Sequence, residues 1–297
     1  MRDCLQTESV SSLFVMAGVV YVWYTFTDSR QERIPTWLND GCAAHERMED
    51  DTGMGERGSD FYDNDAVFQT YMEHRQGRDN ANDTLEKPVM LELIGDASGK
   101  NILDLGCGDA RFAAELLGER HKGSAYTGVE GSINMVTAAR DSVKGLNARI
   151  EHSYLEEWTY PADTYDLAIS RLAIHYIEDV NSLFRRVYAT LRKQGLFVFS
   201  VEHPVITSTL QPLGMRTNWV VDQYFVEGYR EQQWLGGSVK KMHRSVESYY
   251  TALQQAGFRV EQLRESAPQR AYFTDEETYE RRKRIPLFLF LADRKPD

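Results

Sequence analysis

An α/β fold, doubly wound around a mostly parallel seven-stranded sheet with helices on both faces, is predicted by three observations. Short apolar runs alternate with helical patterns from Asn101 to Val201. Buried strands joined through helices make parallel sheets covered on both faces. The first run enters a glycine turn, Gly106 and Gly108, and then a helix. Two more apolar runs near the C-terminus, Phe258–Leu263 and Pro286–Ala292, supply the last strands.

The elements follow in order. Asp83-Thr-Leu-Glu86 reads as a capping box ahead of Val89, Leu91, Leu93 and Ile94, with Pro88 near the helix start, where its missing N–H costs little. Asn101–Leu105 is the first strand, and the helix over residues 110–118 puts Phe112, Leu116 and Leu117 on one face. Ala125–Glu130 is the second strand; Ser132 caps the helix that carries Ile133, Met135 and Val136. Ala148–His152 and Tyr165–Ser170 are the third and fourth. From Asp179 to Lys193, Val180, Leu183, Phe184, Val187 and Leu191 recur at helical spacing, and Gly195 is read as the terminator before the fifth strand, Leu196–Val201. Some forty residues then intervene before a helix at Val246–Ala256. Two strand-like runs in that stretch, Trp219–Phe225 and Arg230–Leu235, predict a small β-rich insertion over 204–244. It is too long for a plain connection, and loops of that length in compact domains usually have a function.

Three regions result: a non-core extension over residues 1–53, an N-terminal helical cap over 54–98, and a ligand-binding domain over 99–297. The extension holds one anomaly, the nearly continuous apolar stretch Leu13–Phe26. A membrane-spanning helix needs about 20 such residues, so an appended helix, or an upstream start that is not used, is the first reading and a membrane anchor the second. Formal net charge is −11, which repels phosphate backbones and disfavours nucleic acid as a partner. Cys4, Cys42 and Cys107 are far apart and form no CxxC pair, so neither a disulfide framework nor a metal site is expected. Together these features predict a cytoplasmic protein.

Ile102-Leu-Asp-Leu-Gly-Cys-Gly-Asp109 carries the chemistry. Glycines there let backbone approach a ligand closely, and the helix N-terminus behind them favours an anionic end. Glu130, at the end of the second strand, is placed to accept hydrogen bonds from ribose hydroxyls. An adenosine-containing ligand at the carboxyl edge of the sheet follows. The dinucleotide fingerprint needs a third glycine where Arg111 stands, which disfavours an NAD(P)-dependent oxidoreductase.

Asp104-Leu-Gly-Cys-Gly-Asp109 resembles the first motif of class I S-adenosylmethionine-dependent methyltransferases, which have a Rossmann-like fold. Gly128-Val-Glu-Gly131, Tyr165-Asp-Leu167 and Gly195-Leu-Phe-Val-Phe199 extend the resemblance over residues 61–297. It implies S-adenosylmethionine as cofactor, with Gly106 and Gly108 beneath its methionine moiety, Asp104 ordering that turn, and Glu130 and Gly131 at the ribose. It places Tyr154 and Leu155 at adenine, Ser170 beside the amino group, and Tyr62 and Tyr71 closing over the ligand. Methyl transfer is a direct displacement that needs a base only if the nucleophile must lose a proton. His175 and His203, both after strand ends, are the candidates, although each could equally hydrogen-bond backbone and orient its loop. Trp219, Tyr224, Tyr229 and Trp234 are expected to form a lid over a small-molecule acceptor, a dimer contact being the competing account. No Asn-Pro-Pro-Tyr-type motif follows the fourth strand, which argues against amide or base N-methylation. A non-catalytic S-adenosylmethionine-binding protein would carry the same glycines and Glu130. Neither the acceptor nor the oligomeric state is legible in the sequence.

Overall fold

The computed structural model describes the backbone of residues 10–16 and 19–24 and, with side chains, residues 57–297 except 76, 78, 119–122, 210–217 and 236. The chain divides into two units, Met1–Gly53 and Met54–Asp297. In the first, β1 (Val10–Met16) pairs antiparallel with β2 (Val19–Tyr24), Met16 lying opposite Val19. This corrects the appended helix. The stretch is dense in valine and aromatic residues, which fit a pleated ribbon better than a helix. Among the described residues no helix is long and apolar enough to cross a membrane.

The second unit begins with α1 (Asp65–Arg75). A π-helical turn, Asn82–Glu86, leads into α2 (Lys87–Ile94). Here the expected capping box is replaced. Asn80, not Asp83, caps the turn, its Oδ1 accepting from Asp83 N at 3.0 Å, while Glu86 is fully buried and reserved for an ion pair described below. Then come β3 (Asn101–Leu105), α3 (Arg111–Leu116), β4 (Ala125–Glu130), α4 (Ile133–Ser142), β5 (Ala148–His152) and β6 (Tyr165–Arg171). Ser132 caps α4, accepting from Met135 N at 3.2 Å. α5 spans Val180–Thr190 and β7 Leu191–Glu202. Gly195 therefore lies inside β7 and does not end the helix. Gln194 adopts φ 62° beside it, and the β6–β7 register shifts between Tyr165 and Leu167.

A short helix, α6 (Pro204–Thr207), is followed by the hairpin of β8 (Gly228–Trp234) and β9 (Gly237–His243). The hairpin sits one strand later than expected. Trp219–Phe225 is not a strand, and Trp234 pairs with Gly237 at a close where Leu235 takes φ 49°. The chain ends with α7 (Val246–Ala256), β10 (Arg259–Glu265), α8 (Glu276–Arg282) and β11 (Phe288–Arg294). The main sheet has the order β10-β11-β7-β6-β3-β4-β5. Only β11 runs antiparallel to its neighbours, so the seven-stranded, mostly parallel α/β architecture is present.

Alternate residues of the central strands feed two cores. Ile102, Ile169, Val198 and Phe290 pack with α2, α3 and α4 on one face. Leu103, Ala168, Phe197, Phe199 and Leu291 pack with α5 and α7 on the other. This double burial fixes the strand ends, and the strand ends position the site.

Candidate active site

A cavity of about 620 Å³ opens along the carboxyl edge of β4, β3, β6 and β7. Its floor is the turn after β3. Gly106 and Gly108 both adopt positive φ, 74° and 55°. Gly106 N and Cys107 N donate to Val129 O at 2.8 and 3.2 Å, and Gly108 N donates to Glu130 Oε2 at 2.9 Å. A Cβ at Gly106 would meet the Ala173 Cβ at 2.4 Å, whereas one at Gly108 would enter open space. The first glycine thus lets two loops touch, and the second leaves room beside the turn.

Glu130 is the hinge of this end. Its other oxygen accepts from Ser132 N at 2.9 Å. Burial pushes its carboxyl above the ordinary range, against the pull of the Ser132 and Gly108 amides. Asp104 is buried deeper. Oδ2 accepts from the Tyr126 hydroxyl at 2.6 Å, while Oδ1 is buried without a partner. Burial raises its pKa from 3.8 to about 7, opposed by Tyr126 and Arg171. An orphaned buried carboxylate oxygen at a cavity wall costs free energy unless a donor arrives. The cationic amino group of S-adenosylmethionine is such a donor.

A strap from Arg57 to Asp65 covers the β4 end. Asp63 Oδ1 accepts from Ser132 Oγ at 2.6 Å, Asp60 Oδ1 accepts from the Tyr154 hydroxyl at 2.9 Å, and the Arg57 guanidinium stacks 3.9 Å over the Tyr154 ring. Gly131 has no room for a side chain, because a Cβ there would meet Ser59 Oγ at 2.5 Å. Tyr62 and Tyr71 line the cavity from the strap and α1, packed edge to face at 5.2 Å.

At the other end, β6, β7, β9 and β11 supply the walls. Here Glu86, buried under α2, receives the Arg171 guanidinium in a two-pronged pair and the Ser200 hydroxyl at 2.7 Å. Arg171 also lies 4.0 Å from the Phe112 ring centroid. Glu202, at the tip of β7, pairs with the buried Lys241 of β9. Burial alone would raise the Glu202 carboxyl, but Lys241 and His175 hold it below its ordinary value. Its Oε2 is buried without a partner. His175 Nδ1 accepts from Glu202 N at 3.4 Å, so its neutral ring carries the hydrogen on Nε2. Burial depresses the His175 pKa to about 3.

The cavity brings together Tyr62, Tyr71, Asp104, Gly106, Gly108, Glu130, Gly131, Tyr154, Leu155, His175 and Trp234 from the sequence expectations. It leaves out five. Ser170 is fully buried and donates to Leu105 O at 2.7 Å, leaving the adjoining wall to Arg171, Leu172 and Ala173. His203 is engaged at both ring nitrogens. Nδ1 accepts from Val205 N at 3.2 Å as the cap of α6, and Nε2 faces Glu265 Oε1 at 3.0 Å, so no nitrogen remains to take a substrate proton. Trp219 donates its indole N–H to Val205 O at 2.7 Å. Tyr224 packs on His243, which donates to its carbonyl at 2.9 Å. Tyr229, half exposed, donates to Glu178 at 3.0 Å. Of the four insertion aromatics, Trp234 alone faces the cavity, edge to face with His74 at 5.7 Å. The sequence reading passed over Glu202, Lys241, Arg171 and Arg282. Glu202 stood in view as the residue before His203, but pairing it with Lys241 requires knowing where β9 lies.

A buried glycine turn strapped to a strand-end glutamate, on a sheet of this order, defines a class I methyltransferase site. Comparison with known proteins agrees. A family model described as a methyltransferase domain matches residues 72–263, and the chain belongs to that family. A solved structure described as an S-adenosylmethionine dependent methyltransferase from Mesorhizobium loti is 36% identical and superposes with a TM-score of 0.64, covering 70% of this chain and 96% of that one. An uncharacterized protein of Haemophilus influenzae is 28% identical over 69% of this chain and 85% of its own length. A demethylmenaquinone methyltransferase of Listeria monocytogenes is 25% identical over 57% of this chain and 73% of its own length. The protein is an S-adenosylmethionine-dependent methyltransferase.

Proposed function

We propose that the acceptor is a small molecule held at the β6–β7–β11 end of the cavity, against Trp234, Tyr176, His175 and Glu202. The observation that carries this reading is one continuous, partly open cleft of about 620 Å³. The space runs from Glu130 to Glu202, across four neighbouring strands. At roughly 4.8 Å per strand that is about 14 Å, enough for cofactor and acceptor end to end. The strap over one end and the β8–β9 hairpin over the other leave little room for a macromolecule, and the volume is that of an ordinary small-ligand site. The Listeria relative, named for methylating demethylmenaquinone, is consistent with a small acceptor.

In this reading Asp104 Oδ1 and Glu130 would hold the cofactor's amino group and ribose, with Gly106 and Gly108 beneath it. The bound cofactor supplies an electrophilic methyl group on a sulfonium. Trp234 and Tyr176 exclude water and orient the acceptor. His175, with its hydrogen on Nε2, donates a hydrogen bond and does not act as the base. Glu202 Oε2 is the group able to accept a proton from an acceptor hydroxyl or amine.

Methyl-labelled S-adenosylmethionine supplied with cell extract tests the proposal. Label is expected in the small-molecule fraction. Label confined to protein or nucleic acid would overturn the small-acceptor reading.

A further inference from the structure

We propose that the acceptor carries an anionic group, a carboxylate or a phosphate, and that Arg282 receives it. This rests on the reading of the β7–β11 end as the acceptor site.

Among the described residues, four guanidinium groups line the cavity: Arg57, Arg75, Arg171 and Arg282. Three have carboxylate partners. Arg57 meets Glu157 at 2.6 Å, Arg75 faces Asp83 at 3.6 Å, and Arg171 is gripped by Glu86. The lysine in the lining, Lys241, has Glu202. Arg282 has no carboxylate, and its Nε is buried without any hydrogen-bond partner. Burial, with Arg281 alongside, depresses even this guanidinium's pKa to about 10. Arg282 is part-buried, and the Nε that is withdrawn from water without a partner costs free energy. A helix C-terminus does favour cations, but Arg281 at the same terminus is exposed and meets that need without burial.

The position is built. Asp275 caps α8, accepting from Thr278 N at 2.6 Å. Asp79 fixes the preceding turn, accepting from Thr274 N at 3.0 Å and Asp275 N at 2.8 Å. The chain then passes from Arg282 to Leu287 and Phe288, which also line the cavity. Phe288 is the cross-strand neighbour of Glu202. The unpaired guanidinium and the unpartnered Glu202 oxygen therefore belong to residues that line one cavity and are linked through the start of β11. Lys241 offsets the Glu202 charge and the nearby Asp79 carboxylate is taken up by the Thr274 and Asp275 amides, which leaves the Arg282 guanidinium as the cation of this wall free to meet an anionic group. An anionic acceptor would place its proton-bearing atom toward Glu202 and its anionic group on Arg282, a guanidinium being suited to either oxyanion.

The test uses the full chain saturated with S-adenosylhomocysteine. Its thermal midpoint is followed against inorganic phosphate in one arm, benzoate in a second, and sodium chloride of matched ionic strength in a third. At least one of the two anions is expected to raise the midpoint saturably above the chloride arm, and the better one names the group. Arg282→Gln and Arg282→Met should weaken that response about tenfold or more while leaving S-adenosylhomocysteine affinity unchanged, and exposed Arg281→Gln should respond as wild type does. Because the arginine is unpaired, both Arg282 variants should melt no lower than wild type without ligand. Equal response to all three salts, or an unchanged response in both Arg282 variants, overturns the proposal. Failure of S-adenosylhomocysteine to bind wild type would instead count against the cofactor site, and the same anion arms run without it would still decide Arg282.

Discussion

Tyr126 hands its phenolic hydrogen to Asp104 across two neighbouring parallel strands at 2.6 Å, satisfying one carboxyl oxygen and leaving the other bare. The folded chain holds a proton on Asp104 from pH 3.8 to about 7 that the unfolded chain has released. Its contribution to stability is complete below that window and lost as pH rises through it. A cationic ligand favours the carboxylate and expels the proton. Affinity for S-adenosylmethionine should therefore rise with pH, by up to tenfold per unit below pH 7, and level off above. Asp104→Asn should abolish the slope. Calorimetry in buffers of different ionisation heat checks both, and a flat wild-type profile would sink the assignment.

Glu130 joins the glycine turn, the α4 cap and the predicted ribose site. Glu130→Ala should weaken S-adenosylhomocysteine binding by about 1–3 kcal/mol, or roughly 5- to 150-fold. Glu130→Gln, which can still accept from Gly108 N through one oxygen, should recover part of that loss. Equal binding by wild type and both variants would remove Glu130 from the site.

The β8–β9 hairpin makes a sharper distinction than its composition suggests. Trp234→Ala should leave cofactor affinity nearly intact and lower turnover of a true acceptor, because Trp234 alone among the insertion aromatics reaches the cavity. Tyr229→Phe, which loses only the Glu178 bond, should turn over normally. Comparable losses in both would make the hairpin a structural element and not an acceptor wall.

Glu86 and Arg171 form a pair that is expensive to break. Arg171→Met leaves a fully buried carboxylate with only the Ser200 hydroxyl and should cost about 3–5 kcal/mol in urea unfolding. Combining it with Glu86→Leu should recover much of that. A double variant no more stable than Arg171→Met would show that cavity packing, and not the charge, sets the penalty.

Local patterns were the legible ones. β3, β4 and β5 fall where their apolar runs predict, and the Gly106–Gly108 turn and Glu130 follow one strand end and the next, so spacing alone places them. What escaped depends on partners distant in sequence. Glu86 looked like a helix cap because nothing local shows Arg171 eighty-five residues away. His203 looked like a base until Val205 and Glu265 took its two nitrogens. Gly195 looked like a stop signal, although β7 begins before it. The hairpin was misplaced by one strand because Trp219–Phe225 has strand composition but no partner strand among the described residues.

The last strand in the sequence does not sit at an edge. β11 lies between β7 and β10, and Leu287 and Phe288 at its start belong to the cavity wall. During synthesis, which proceeds from the N-terminus, β7 waits with an open side until β11 has been made. The nascent protein can assemble its glycine turn early, but the cavity wall that Leu287 and Phe288 supply closes only once β11 has paired. A chain without β11 would leave β7 and β10 each with an unpaired side, prone to self-association, and not a slower enzyme. Closure of that wall is thereby tied to the pairing of one late strand in the middle of the sheet.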